Sequence, residues 1–294
     1  MNIAILQREL NELQNAPMLF DAQNFRARKE ALCFVDVINK FHLEQNIGTN
    51  RLQEQARGLG ERLRAFNATI AKDWFARLKN ECPSPLKLRT WLQPYTDYVP
   101  QQWGQPHYGY ESLDFLLDEI LLPLPHPQVS LPPEHGMVRY EPTPASVILE
   151  LTERITFTEN DVFYDLGSGL GKVTNLVHLL TGARCIGVEY QPDFCTYADR
   201  QAHSLGLNNG VTYLDADARH VDYTEATVFF LFNPFGGVIF DTVLERLQLE
   251  AQRREIHICS YGSSSQPLSE FPWLEHIPPI NKDEAALAIF QTQC

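Results

Sequence analysis

Between Phe163 and Lys172 the chain reads FYDLGSGLGK, an acid followed by glycines at alternate positions: Asp165, Gly167, Gly169 and Gly171, with Ser168 between the first two glycines. A glycine-rich turn lets the backbone come close to a ligand, and a helix that follows it adds free N–H donors and a partial positive charge. Three nucleotide-handling arrangements use that physics. The phosphate cradle G-x-x-x-x-G-K-[ST] needs wider glycine spacing and a hydroxyl after the lysine. Here Gly171 comes too soon after Gly167, and Val173 follows Lys172. That arrangement fails at both positions. The dinucleotide turn G-x-G-x-x-G is matched by Gly167 and Gly169 but meets Lys172 where its third glycine belongs, which weakens this reading without excluding it. Two further acids are spaced for the same ligand. Glu189 ends the second strand in CIGVEY, just before Tyr190, and can accept paired hydrogen bonds from ribose hydroxyls; Asp217, followed by Ala218, ends the third strand in VTYLDADA, with Asp215 as the competing choice. Taken singly, each acid also suits a solvated strand end.

The elements that must position these groups follow from periodicity. VFYDL, ARCIGVEY, VTYLDAD, ATVFFLFN and EIHICSYG read as strands, and KVTNLVHLL, DFCTYADRQAHSL and VIFDTVLERLQLEAQRR as helices between them. This alternation predicts a doubly wound α/β fold, with a mostly parallel sheet carrying helices on both faces. Ligands of such sheets bind outside the carboxyl ends of the strands, where all three acids stand. Upstream, residues 1–125 read as a smaller all-α domain, with apolar positions such as Leu6, Leu10 and Leu13 at helical steps and Gly48, Gly58 and Gly60 as punctuation. Tyr95, Tyr98, Trp103, His107, Tyr108 and Tyr110 mark an aromatic loop, read as fastening to the core in preference to a substrate cage. Residues 126–136 are a proline-rich linker, within a stretch bearing five prolines between Pro123 and Pro133, and residues 137–294 form the α/β domain. At its start, Thr143 is a good helix N-cap and Pro144 a natural first helical residue.

The D-x-G-x-G-x-G run resembles the first motif of the class I S-adenosyl-L-methionine-dependent methyltransferases, a Rossmann-like family with a seven-stranded sheet. The resemblance implies S-adenosyl-L-methionine as cofactor. It places Asp165 and the bare amides of the Gly167–Gly171 turn at the methionine end, Glu189 at the ribose, and Asp217 with the Ala218 amide at the adenine. Asn233-Pro234-Phe235, in VFFLFNPFGG, is similar to the [DN]-P-P-[YF] acceptor motif of amino-methylating members, with Phe235 in place of the second proline. The loop RYEPTP before the first strand resembles that of the non-SET, disruptor-of-telomeric-silencing type and of small seven-strand lysine methyltransferases. By that resemblance Tyr140 and Thr143 close over the methionine end, while Asn233 and Phe235 line the acceptor channel. Glu141 stands one place earlier than the acid of the eukaryotic loop, and Lys172 replaces a neutral amide. Lysine in a protein is the acceptor this implies. A small-molecule or nucleic-acid N-methyltransferase, and a silent cofactor-binding interaction module, stay open as alternatives.

Composition narrows the partners. The net charge of −13 is concentrated in residues 126–294, which carry 10 Lys and Arg against 22 Asp and Glu. An acidic half repels a phosphate backbone and attracts a basic protein, although the same charge also serves solubility. No apolar run is long enough for a membrane span and the N-terminus lacks a signal-peptide pattern, so a cytoplasmic setting is expected. The six cysteines, Cys33, Cys82, Cys185, Cys195, Cys259 and Cys294, lack metal-ligand spacing and are read as thiols, with no metal site.

Overall fold

In the computed structural model the described residues are 3–40, 47–96, 111–123, 125–278 and 287–292. The first part is helical: α1 (Ile3–Gln14), α2 (Phe25–Lys40), α3 (Ile47–Glu81), α4 (Pro85–Leu92) and α5 (Glu111–Leu121). Gly48, Gly58 and Gly60 do not punctuate this run, since all three lie inside the 35-residue α3. Gly60 has a packing role instead: a Cβ there would come within 2.9 Å of Val35 on α2. Of the expected aromatic loop, Tyr95 is described; it is buried and accepts a hydrogen bond from Trp74 Nε1 at 3.0 Å. Tyr98, Trp103, His107, Tyr108 and Tyr110 lie outside the described residues, as does Cys294.

After an irregular proline-rich segment, α6 (Ala145–Arg154) leads into alternating elements: β1 (Val162–Leu166), α7 (Lys172–Thr181), β2 (Arg184–Glu189), α8 (Pro192–Leu205), β3 (Val211–Asp215), β4 (Val228–Phe232), α9 (Gly237–Ala251) and β5 (His257–Tyr261). A short α10 (Ser265–Leu268), β6 (Leu274–Ile277) and β7 (Leu287–Thr292) are the last elements among the described residues. The sheet has seven strands in the order β3-β2-β1-β4-β5-β7-β6. β1 to β5 pair in parallel and β7 is antiparallel to both its neighbours, so the expected Rossmann-like, mostly parallel sheet is present.

Alternation along the strands divides the core in two. Phe163, Cys185, Val211, Phe230 and Cys259 face α6, α7 and α8, while Tyr164, Leu166, Ile186, Phe229 and Leu231 face α9. The first of these cores is continuous with the N-terminal helices, because Phe25, Trp74, Leu88, Leu113 and Leu117 belong to it. α5 touches both α6 and α7, and α4 touches α7. The order reverses between β1 and β4, which opens a crevice at the carboxyl ends of these strands.

No helix among the described residues is long and apolar enough to cross a membrane.

Candidate functional site

A cavity of about 860 Å³ occupies that crevice. Its walls bring together the sequence-predicted residues Tyr140, Thr143, Asp165, Gly167, Ser168, Gly169, Glu189, Tyr190, Asp217, Ala218, Asn233, Pro234 and Phe235. Gly171 stands one step back, as the left-handed residue that starts α7.

The glycine turn is anchored to β2, since the Gly167 and Ser168 amides donate to the Val188 carbonyl at 2.9 and 3.0 Å. Gly169 has φ +54°, and a Cβ there would clash with the edge of the Tyr140 ring; at Gly167, φ +84°, it would strike Pro234. Only glycine permits both the conformation and the close approach. The Tyr140 loop therefore lies directly on the turn. Two antiparallel contacts hold that loop to the segment after β4: Gly236 N donates to Gly136 O at 2.7 Å, and Met137 bridges Phe235.

Asp165, at the end of β1, is 2% exposed and accepts the Thr174 hydroxyl at 2.9 Å. Burial pushes its carboxyl up to about 7, against the opposing hydrogen bonds from Thr174. Glu189 accepts the Gly169 amide at 2.8 Å on one oxygen and the Gln191 amide at 2.8 Å on the other. Burial raises its pKa, and these amides work against the rise. Asp217 does not end the third strand as expected; β3 stops at Asp215, and Asp217 is the N-cap of the next turn. It nevertheless lines the cavity, where Asp215 does not. Its two carboxylate oxygens share the Arg219 Nε–H at 3.0 Å each, and Arg219 also pairs with Glu134 at 2.9 Å. The bond from Arg219 holds Asp217 below the usual carboxylate range.

Two expectations change. Thr143 is buried against the cavity but does not cap α6, whose N-cap is Pro144. The Ala145 amide donates instead to Asp114 Oδ1 of α5 at 2.6 Å. Asn233 has φ +43°, and its Oδ1 accepts from Ser264 N at 3.1 Å, Ser264 Oγ at 3.1 Å and Ser263 Oγ at 3.0 Å. An amide oxygen has two lone pairs, so this one is committed to the turn after β5 and not free for an acceptor amine. Phe230 and Phe232, with Phe235, line the cavity, whereas Phe229 faces the α9 core.

Other residues of the site carry no local sign of their role. Gln191 clasps the proline-rich segment, accepting from Leu131 N at 3.0 Å and donating to Leu131 O at 2.9 Å. His126, Pro127 and Val129 of that segment complete the wall. Lys172 also lines the cavity, where its ammonium meets Asp118 at 2.7 Å and Asp114 at 3.1 Å. Burial alone would depress this lysine, but the two carboxylates outweigh it and hold the pKa above its ordinary value. Its position after the glycines was visible in sequence; its partners, on a helix far upstream, were not.

The donor set fits S-adenosylmethionine. Tyr140 Oη and Ser168 Oγ are buried on the wall with no hydrogen-bond partner among the described residues, the state expected of groups awaiting a polar ligand. Buried acids stand ready for an ammonium and for ribose hydroxyls. The Gly167, Ser168, Gly169 and Gly171 amides are not bare as expected, since each donates within the protein, but the N-terminal end of α7 still offers a partial positive charge to a carboxylate.

Residues 138–232 match the family described as Histone methylation protein DOT1. A protein-lysine N-methyltransferase of Saccharolobus islandicus (strain REY15A) is 28% identical over 101 residues, which is 32% of this chain and 60% of that protein. The chain thus spans less than two thirds of the curated relative's length. Among solved structures, an RNA methyltransferase from Salinibacter ruber in complex with S-adenosyl-L-homocysteine is 22% identical, covering 52% of this chain and 92% of that one at a TM-score of 0.41. A geranyl diphosphate C-methyltransferase from Streptomyces coelicolor A3(2) is 13% identical, with 51% and 77% coverage and a TM-score of 0.36. The seven-stranded sheet and the crevice residues have the arrangement expected of the Rossmann-like methyltransferase fold, and residues 138–232 are similar to the DOT1 family.

Proposed function

We propose that this chain transfers a methyl group from S-adenosylmethionine to the side-chain amine of lysine in a basic protein substrate. The observation that carries the proposal is the single cavity that runs from the acids and glycines after β1 and β2 to the aromatic side chains Phe230 and Phe232 at the end of β4. The matched lysine methyltransferase supports the same acceptor.

S-adenosylmethionine, when bound, supplies a methyl group activated by a sulfonium. Asp165, Ser168, the positive N-terminal end of α7 and Tyr140 hold its methionine end, Glu189 its ribose, and Asp217 with Ala218 its adenine. The remaining task is to present an uncharged amine. A lysine with a pKa of about 10.4 is about 3.4 units above pH 7, so deprotonation costs roughly 4.6 kcal/mol. The Phe230 and Phe232 walls lower that cost by disfavouring the ammonium, and Tyr140 helps to exclude water. Exposed Glu141, on the rim, attracts the cationic side chain before it enters. Positioning then supplies much of the acceleration.

The test is transfer from labelled S-adenosylmethionine into a fractionated lysate, with Asp165→Ala as control. Label in protein, released as methyllysine on hydrolysis and lost in the variant, is the expected result. Label confined to nucleic acid or small metabolites would overturn the acceptor; cofactor binding with no product in any fraction would indicate an interaction module.

A further inference from the structure

Lys172 occupies the first position of α7, directly after the glycine turn, yet its side chain is only 3% exposed. A buried ammonium is tolerated only where carboxylates compensate it. Both compensating groups come from one helix of the N-terminal layer: Asp118 at 2.7 Å and Asp114 at 3.1 Å, four residues apart on α5 and so on one of its faces. Asp114 also receives the Ala145 amide at 2.6 Å. One carboxylate thereby joins the first turn of α6, which follows the Tyr140–Thr143 loop, to the first turn of α7, which follows the glycines. Burial raises the pKa of Asp114, and the facing Lys172 and Ala145 amide oppose that rise.

An ammonium has three donors. One is donated to Asp114 at 3.1 Å, Asp118 pairs with the ammonium at 2.7 Å, no third partner is found among the described residues, and Lys172 is part of the cavity wall. The opposite charge needed at this end is available in the proposed cofactor, whose methionine moiety carries a carboxylate beside its ammonium. Asp165, buried on the same wall, is the complementary anion for that ammonium.

Resting on the functional reading above, we propose that Lys172, aimed by Asp114 and Asp118, is a cofactor-binding residue that takes the carboxylate of the methionine end, and that α5 is thereby an integral part of the cofactor site. Asp114 and Asp118 are positioning residues that act through Lys172. The helical layer would then contribute to cofactor affinity as well as to the shape of the protein.

The test compares two ligands by calorimetry on the full chain: S-adenosylhomocysteine, and 5′-methylthioadenosine, which keeps the adenosine and sulfur but lacks the amino-acid end. Lys172→Gln strands two half-buried carboxylates, so the deciding variant is the charge-balanced Lys172→Gln with Asp118→Asn. A lost charge-assisted hydrogen bond corresponds to a roughly 10- to 100-fold weaker S-adenosylhomocysteine affinity, while 5′-methylthioadenosine should change by less than about twofold. A parallel loss of both ligands would reduce Lys172 to a structural clamp and overturn the proposal, as would retention of both. Wild-type protein that binds neither ligand would sink the cofactor reading itself, a separate outcome.

Discussion

The carboxyl of Asp165 is raised by burial to about 7, which makes cofactor binding a proton-linked event. If the ionised form pairs with the cofactor's ammonium, binding must draw on the ionised fraction. For a group titrating at about 7, that fraction is about one eleventh at pH 6 and about ten elevenths at pH 8. The affinity for S-adenosylhomocysteine should therefore rise about tenfold between those values, about fivefold of it below pH 7 and about twofold above. Calorimetry in two buffers of different ionisation enthalpy should register release of about half a proton at pH 7. The sign is opposite for stability without ligand. A carboxyl whose folded-state pKa lies above its unfolded value favours folding least when ionised, so the apo protein should lose stability as pH rises from about 4 towards 7. Glu189 is also raised by burial, so Asp165→Asn is needed to assign the effect. The variant should bind more weakly and with a flatter pH profile. An unchanged affinity from pH 6 to 8 in the wild type, or an equally steep profile in the variant, would refute the assignment.

Three further outcomes follow from the geometry. Gly169→Ala should cost about 1–2 kcal/mol of stability for its left-handed backbone alone and weaken S-adenosylhomocysteine binding by displacing Tyr140. Adding Tyr140→Ala should make the two binding losses less than additive, and strict additivity would count against their contact. Asn233→Ala should lower thermal stability by about 1–3 kcal/mol, because it strands the Ser264 amide and places alanine at φ +43°. Asn233→Gly should recover the backbone part; a fall in methyl transfer with unchanged melting would mean that the side chain serves the acceptor after all. Asp217→Ala should weaken S-adenosylhomocysteine about tenfold but leave its deaminated, inosine-type analogue nearly unaffected, and equal losses for both would remove the acid from adenine recognition.

What was legible in the chain was what local geometry determines. Asp165 and the three glycines form one strand-turn-helix unit whose spacing alone excludes a phosphate cradle, and the structure confirms that unit at β1 and α7. The period-two pattern likewise separates Phe230 from Phe229 once the strand exists, although it does not say which face carries the cavity. Where a local rule failed, a distant partner had replaced the local one. Thr143 has the right chemistry for a cap, but Asp114, from 31 residues earlier, reaches the Ala145 amide first. Gly60 reads as a breaker, yet inside α3 it provides close approach to Val35 on another helix.

The acceptor side was the least legible for the same reason. Asn233-Pro234 fits an amine-binding motif by residue type, and its backbone does turn at the cavity, but the direction of the Asn233 side chain is decided by Ser263 and Ser264, some 30 residues later and beyond the neighbouring strand. A backbone N–H faces Asn233 there, so the atom that meets it must be the amide oxygen. The polar group that the motif would offer to an amine is thus spent on fixing the turn. In the proposed reaction, selectivity at this end would fall to the walls, with Phe230, Phe232 and Tyr140 setting the depth and dryness of the channel and Glu141 the charge at its rim. The proposed acceptor, a long aliphatic side chain ending in a cation, would match such a channel better than a planar base. A flat, strongly hydrogen-bonding ring would need acceptors that Asn233 no longer presents.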